Sequence, residues 1–342
     1  VWLTGSKSHN GTRWARAGGM VCVRRRLIAL AALAVVFVSW PATAATEVLV
    51  VVAQMSPAHE AALVALRASL ATAPDKAHTL RVITAAEFSA SGPRATDRTL
   101  PGLVVTLGTD AAATVLRQNL PAPTYCTFLP QAAYAALVNV SNERQVPWSA
   151  LYLDQPFTRQ LRLIRLALPR LTRVGVVLGP ESRIREHALR HAAVSAGLVL
   201  RVEQIVDEKH LVGALHRTMD EADVLLAVPD SLVFNRHTAQ NVLLTTYRLG
   251  KPVAGYSRAY VTAGALLAVY STPAQIGRQI GEELLAMHKK SGRPLLLPEP
   301  GYPRYFSVEI NERVARSLGL APGRAEDLAR RLADETKTEA IH

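Results

Sequence analysis

Short β-branched apolar runs alternate with longer amphipathic stretches along most of the chain. Residues 48–53 read VLVVVA, continuous and apolar, as a strand must be when both faces of its sheet are covered. Met55-Ser56-Pro57 then leads into a helical stretch over 58–71. The same pattern predicts strands at 80–84, 103–107 and 123–128, with a helix over 111–118 after the turn Gly108-Thr109-Asp110. A second series follows the segment ALYLDQP at 150–156. It predicts helices over 157–168, 183–196, 208–219 and 238–249, and strands over 173–178, 199–205, 223–228 and 252–256. Pro169, Gly197 and Gly250 supply three of the helix stops. Strand alternating with helix implies parallel sheets with right-handed crossovers, so an α/β protein with two such sheets in series is expected.

A chain of 342 residues accommodates two lobes, each with its own core. The formal charge of +12 invites a nucleic-acid reading, but half of the excess sits in residues 1–44, which hold Lys7, Arg13, Arg16, Arg24, Arg25 and Arg26 and no acid. The densest later run, Arg162, Arg165, Arg170 and Arg173, fits a solvated helix face, and no nucleic-acid partner is expected.

Arg24-Arg25-Arg26, the apolar run 27–38, Pro41 and Ala42-Thr43-Ala44 follow the order of a cleavable export signal. The run is too short for the ~20 residues of a membrane-spanning helix. Cleavage after Ala44 and a periplasmic location are expected, with an uncleaved anchor as the alternative. Met20 precedes the basic region, so residues 1–19 are read as an upstream extension. Cys22 lies ahead of the apolar run, where a lipidated cysteine would have to follow it. Cys126 alone remains after processing and reads as a buried strand thiol.

In open parallel sheets ligands collect at the carboxyl ends of the strands. Those ends hold the candidate ligand-binding residues Ser56, Thr109, Asp110, Phe128, Ser182, Asp230, Tyr256, Ser257 and Arg258. Tyr256 and Phe128 offer aromatic walls, with Phe157 and Tyr260 as further aromatics better explained by packing. Asp230 suits a cation or hydroxyl, and Arg258 a carboxylate. Thr109 and Asp110 also read as caps of their own helix. Enzyme chemistry finds little support. His187 and His191 are four apart but lack the H-E-x-x-H pattern, and neither Ser182 nor Ser257 sits in a nucleophile elbow. No catalytic residue, metal site or cofactor is expected.

The segment KPVAGYSRAYVTAGALLAVYSTPAQIGRQIGEEL at 251–284 resembles the ABC-transporter substrate-binding proteins whose better-known members bind aromatic amino acids. The resemblance extends to LGTDAAA at 107–113, RVGVVLGPES at 173–182, DVLLAVPDSLV at 223–233 and VEINERVARSLGL at 308–320. It implies a type I periplasmic-binding-protein fold: two Rossmann-like lobes with parallel sheets, joined by a three-strand hinge. The crossings fall near 153–156, 269–273 and 298–307. Lobe 1 is then 45–152 plus 273–298, lobe 2 is 153–272 plus 299–325, and 326–342 is a charged tail packing loosely. The implied function is delivery of a small molecule, an amino acid or similar solute, to an ABC permease in the inner membrane by a monomer that closes around it. The alternative is a sensor or regulatory module of the same fold signalling to a membrane partner. Two features depart from the family pattern: the stretch SASGPRATDRTL at 89–100 is short where the family has a longer helical stretch, and Asp110 stands where proline is usual.

Overall fold

The computed structural model of the chain describes residues 46–73, 78–91, 101–140, 146–235, 237–289 and 296–339. The expected export segment and Cys22 lie outside them, as does most of the stretch 89–100.

The first sheet holds β1 (Thr46–Val52), β2 (His78–Thr84), β3 (Leu103–Leu107), β4 (Thr124–Leu129) and β5 (Trp148–Tyr152), ordered β2-β1-β3-β4-β5 and parallel throughout. Between them run α1 (Pro57–Leu70), α2 (Ala85–Ser91), α3 (Thr109–Arg117) and α4 (Gln131–Val140). Val48 to Val52 are wholly buried because helices lie on both faces, which is why β1 shows no alternation of polar and apolar positions. Cys126 is buried in β4, as expected of a strand thiol.

Three elements here differ from the sequence reading, which assigned no strand before the crossing at 153–156, no helix over 85–91 and none after β4. Trp148–Tyr152 is a fifth strand, disguised by the buried Ser149, whose hydroxyl donates to the Pro298 carbonyl. Its outer edge is covered: Tyr152 N–H donates to the Gly301 carbonyl and Gly301 N–H to that of Ala150, at 2.9 Å each.

The second sheet holds β6 (Arg173–Leu178), β7 (Val199–Gln204), β8 (Val224–Leu226), β9 (Val253–Gly255), β10 (Leu267–Tyr270) and β11 (Ser307–Ile310), ordered β11-β10-β9-β8-β6-β7. All pairs are parallel except β11, which closes the sheet antiparallel to β10. The helices after β5 are α5 (Phe157–Ala167), α6 (Glu186–Ser195), α7 (Leu211–Glu221), α8 (Thr238–Arg248), α9 (Arg258–Ala263), α10 (Pro273–Lys289), α11 (Glu312–Ser317) and α12 (Ala325–Glu339). The helix expected over 183–196 opens instead as a 3-10 turn, Arg183–Arg185.

Helix α10 returns to the first sheet, where Ile276, Ile280, Leu284 and Met287 share a core with Val48, Val50, Leu63 and Leu66. Its approach to α1 is so close that a Cβ at Gly277 would collide with the Ala62 backbone. The tail does not pack loosely. Leu328 and Leu332, spaced i, i+4 on α12, are buried in one cluster with Leu161, Ile164 and Ala315 of the second lobe. Each such side chain contributes about 1.5–3 kcal/mol of burial.

Candidate functional site

Three stretches connect the sheets: Leu153 to Pro156 between β5 and α5, Ser271 and Thr272 between β10 and α10, and the residues from 296 to 306 before β11. Gln155 of the first connection and Arg159 of α5 tie them together. Gln155 Nε2 donates to Ser271 Oγ at 2.9 Å, and Ser271 Oγ donates to the Tyr305 carbonyl at 2.6 Å. Arg159 donates to Gln155 Oε1 at 2.6 Å and to the Pro303 carbonyl at 2.9 Å, while its guanidinium lies 4.4 Å above the Phe306 ring. No ion pair holds Arg159 among the described residues, and burial pushes its pKa down to about 10. A buried charge held by carbonyl and amide oxygens thus pins all three connections at one point.

Above this hub lie two adjoining cavities. One, of about 230 Å³, is lined by Leu153, Gln155, Gln160, Ser257, Tyr270 and Ser271. The other, of about 460 Å³, is lined by Ala132, Ala133, Ala136, Glu181, Asp230 and Phe234. Pro130, Asp154, Arg185, Pro229 and Tyr256 border both. The walls thus come from the start of α4 on the first sheet and from the ends of β6, β8 and β9 on the second. The space between them is closed below by the connections.

Asp154 is the polar joint of the two walls. Its Oδ2 accepts the N–H of Gln131 at the start of α4, at 2.5 Å, and its Oδ1 lies 3.5 Å from Arg185. Arg185 also stacks 4.4 Å over the Phe157 ring. On the second wall Asp230 is buried, accepting from Ser182 N–H at 2.9 Å and Ser182 Oγ at 2.7 Å, and from Leu232 N–H at 2.9 Å. Gly179 allows this, since a Cβ there would strike the carboxylate. Glu181 accepts from the amide and hydroxyl of Ser231, at 3.0 and 2.6 Å. Tyr256 sits edge-on to Phe234, 6.4 Å between centroids, and burial raises its phenol pKa. The Tyr270 phenol is pushed up to about 12 by burial and by its 2.6 Å hydrogen bond to Glu309.

This architecture has known counterparts, although the sequence matches no protein-family model and no curated protein. A ligand-free, open substrate-binding protein with adhesive properties from Clostridium difficile superposes with a TM-score of 0.62 at 16% identity, over 80% of this chain and 95% of that one. A conserved domain protein from Vibrio cholerae gives 0.55 at 20% identity, over 83% and 98%. An ABC domain from Streptococcus pneumonia in complex with L-Trp gives 0.53 at 16%, again over 83% and 98%. The chain has the fold of the ABC-transporter substrate-binding proteins.

Within that fold, the nine strand-end residues separate into four groups. Asp230, Tyr256 and Ser257 line the cavities between the lobes. Ser182 lies behind Asp230, with both its amide and its hydroxyl spent on that carboxylate. Arg258 is exposed and turned to Glu309, 3.4 Å away. The remaining four belong to the first sheet and line neither cavity. Ser56 caps α1 by accepting from His59 N–H, and Phe128, at φ 58°, meets the His59 ring at 5.5 Å. Thr109 and Asp110 are not caps. Gly108 holds the N-cap position, at φ 104°, and the two residues are the first in the helix, with Asp110 exposed. Of the further aromatics, Phe157 and Tyr260 are buried, as packing required. His187 and His191 are both exposed on α6.

Sequence reasoning passed over Asp154, Gln155, Gln160 and Arg185, which border these cavities. The one available signal was the run Leu153-Asp154-Gln155-Pro156, where polar residues stand between a strand and a helix-initiating proline. The three alanines of α4 carry no polar signal at all.

Proposed function

We propose that the chain is an exported solute-binding protein that closes around a small molecule and delivers it to an ABC-type importer. The observation that carries this reading is the pair of cavities walled by strand-end loops of both sheets and floored by the three connections. A rotation about the Gln155–Arg159–Ser271 hub widens or narrows the space between those walls without breaking either sheet. A solute touching both walls favours the narrowed form by its differential affinity. Support comes also from the fold shared with substrate-binding proteins, one of which was solved ligand-free and open. Export rests on the arginine, apolar and Ala-Thr-Ala order of residues 24–44. Lobe 1 is assigned to 45–152 plus 273–298 and lobe 2 to 153–272 plus 299–325, with the protein acting as a monomer and without catalysis. The ligand set proposed from the strand ends is narrowed to Asp230, Tyr256 and Ser257, joined by Gln160 and Arg185.

The test is thermal unfolding of the purified protein against amino acids, amines, sugars, nucleosides and inorganic ions. Binding to the native state must raise the midpoint, by the equivalent of about 2.7 kcal/mol at a hundredfold excess over Kd. Absence of a shift with every class would sink the proposal.

A further inference from the structure

The chemistry of the two walls also selects the charge of the solute, provided that the cleft is the solute site proposed above. Four side chains carry formal charge at the cavities: Asp154, Glu181, Asp230 and Arg185. Two groups that would attract an anion are the Arg185 guanidinium and the first N–H of α4, and both are taken by one residue. Asp154 accepts from Gln131 N–H and lies beside Arg185. Asp230 and Glu181 have no such counter-charge among the described residues. Their partners are amides and serine hydroxyls. Arg159 does not line either cavity, and its hydrogen bonds go to Gln155 Oε1 and the Pro303 carbonyl.

A second observation is independent of the carboxylates. Gln160 lines the smaller cavity, is 5% exposed, and its Oε1 is buried with no partner. Its orientation is settled, because Nε2 donates to the Gln155 carbonyl at 2.9 Å. The unpartnered group of this cavity-lining side chain, closed to solvent in this structure, is therefore an acceptor, which a ligand N–H or O–H satisfies and a carboxylate does not. Tyr256, which borders both cavities, and Phe234 of the larger one add aromatic surface, suited to the body of an organic cation.

We propose that the solute is a protonated organic amine without a compensating carboxylate: its ammonium group donates to Gln160 Oε1 in the field of Asp230 and Glu181, and its apolar part rests against Tyr256 and the alanines of α4. The experiment compares three probes of one shape by calorimetry at low salt: phenethylamine, L-phenylalanine and 3-phenylpropionate, which carry the amine, both groups, and the carboxylate. Affinity is expected to fall in that order, with the amine at least ~10-fold tighter than the acid, a preference that weakens at 0.5 M salt. Glu181 is exposed, so Glu181→Gln folds as the parent does, and it should narrow the preference about threefold. Equal or tighter binding of 3-phenylpropionate would overturn the charge assignment and leave the solute-binding reading standing. The same holds if none of the three binds while a neutral sugar stabilises the protein. If no solute of any class binds, both readings fall together.

Discussion

The two lobes face the cleft with different materials. The first offers the opening turns of α4, a proline and three alanines, with the helix's first N–H already taken by Asp154. The second offers carboxylates held by hydrogen bonds between the loops after β6 and β8, an arginine stacked on Phe157, and aromatic rings. One wall therefore contributes shape and the other contributes charge. The lesson extends to the sheets beneath. The first has five parallel strands completed by a returning helix, and the second closes with an antiparallel strand and a terminal helix.

Leu332→Ala should have the largest effect. It opens a cavity beside α5, and chemical denaturation should show a loss of about 2–5 kcal/mol; a cost below about 0.5 kcal/mol would mean that α12 frays and that the second lobe stands without it. Ala133→Trp attacks the smooth wall. Folding should be nearly unchanged, while solute affinity measured by calorimetry drops about a hundredfold, the equivalent of ~2.7 kcal/mol. Unchanged affinity would show that α4 does not border the occupied space.

How much of this was legible before the structure depends on what each residue spends its chemistry on. Val48 to Val52 announce a doubly covered strand because every position is apolar, and 103–107 and 173–178, largely apolar runs that end at Gly108 and Gly179, were read to the residue. β5 was not, since Ser149 and Trp148 interrupt the apolar run and its edge partner, Gly301, arrives from a distant part of the chain. At the site, Asp230 and Tyr256 stood out as polar or aromatic groups at strand ends. Arg185 stood in what read as the first turn of a helix, and Gln160 in the middle of one, where nothing local separates a cavity-lining amide from a solvated one. Thr109 and Asp110 looked like caps because Gly108 offers no side chain to compete with them, yet its positive φ makes the turn by itself.

Arg159→Met tests whether the hub joins the two walls or merely fills space. The substitution removes a desolvated charge but strands Gln155 Oε1 and the Pro303 carbonyl, so a net loss of about 1–3 kcal/mol is expected in urea unfolding. Small-angle scattering of the unliganded variant should broaden in the same experiment. An unaltered profile with full stability would assign the connections their stiffness from backbone contacts alone.

The smallest expected effect lies far from the cleft. Asp223 accepts from the Arg173 side chain and from the amides of Thr172 and Arg173, and these bonds hold its carboxyl below the usual range. A depressed carboxylate pKa stabilises the fold above the unfolded value of ~3.9, and that contribution is lost as pH falls through the folded value. Asp223→Asn should therefore cost about 1 kcal/mol at pH 7, and the gap from the parent should close below pH 4. A gap constant across that range would mean that the carboxyl's charge plays no part.

The docking of α10 onto α1 orders events as the polypeptide is made or threaded through a pore. Ribosomes release residues 46–152 more than a hundred residues before Gly277 and Gly281 appear, so the earliest sheet waits with one flank covered by α1 alone until α10 arrives. The sheet that begins later needs only its own closing strand and final helix. A nascent chain stalled before residue 273 should accordingly remain a customer of holding chaperones, and one stalled just beyond 289 should let go of them.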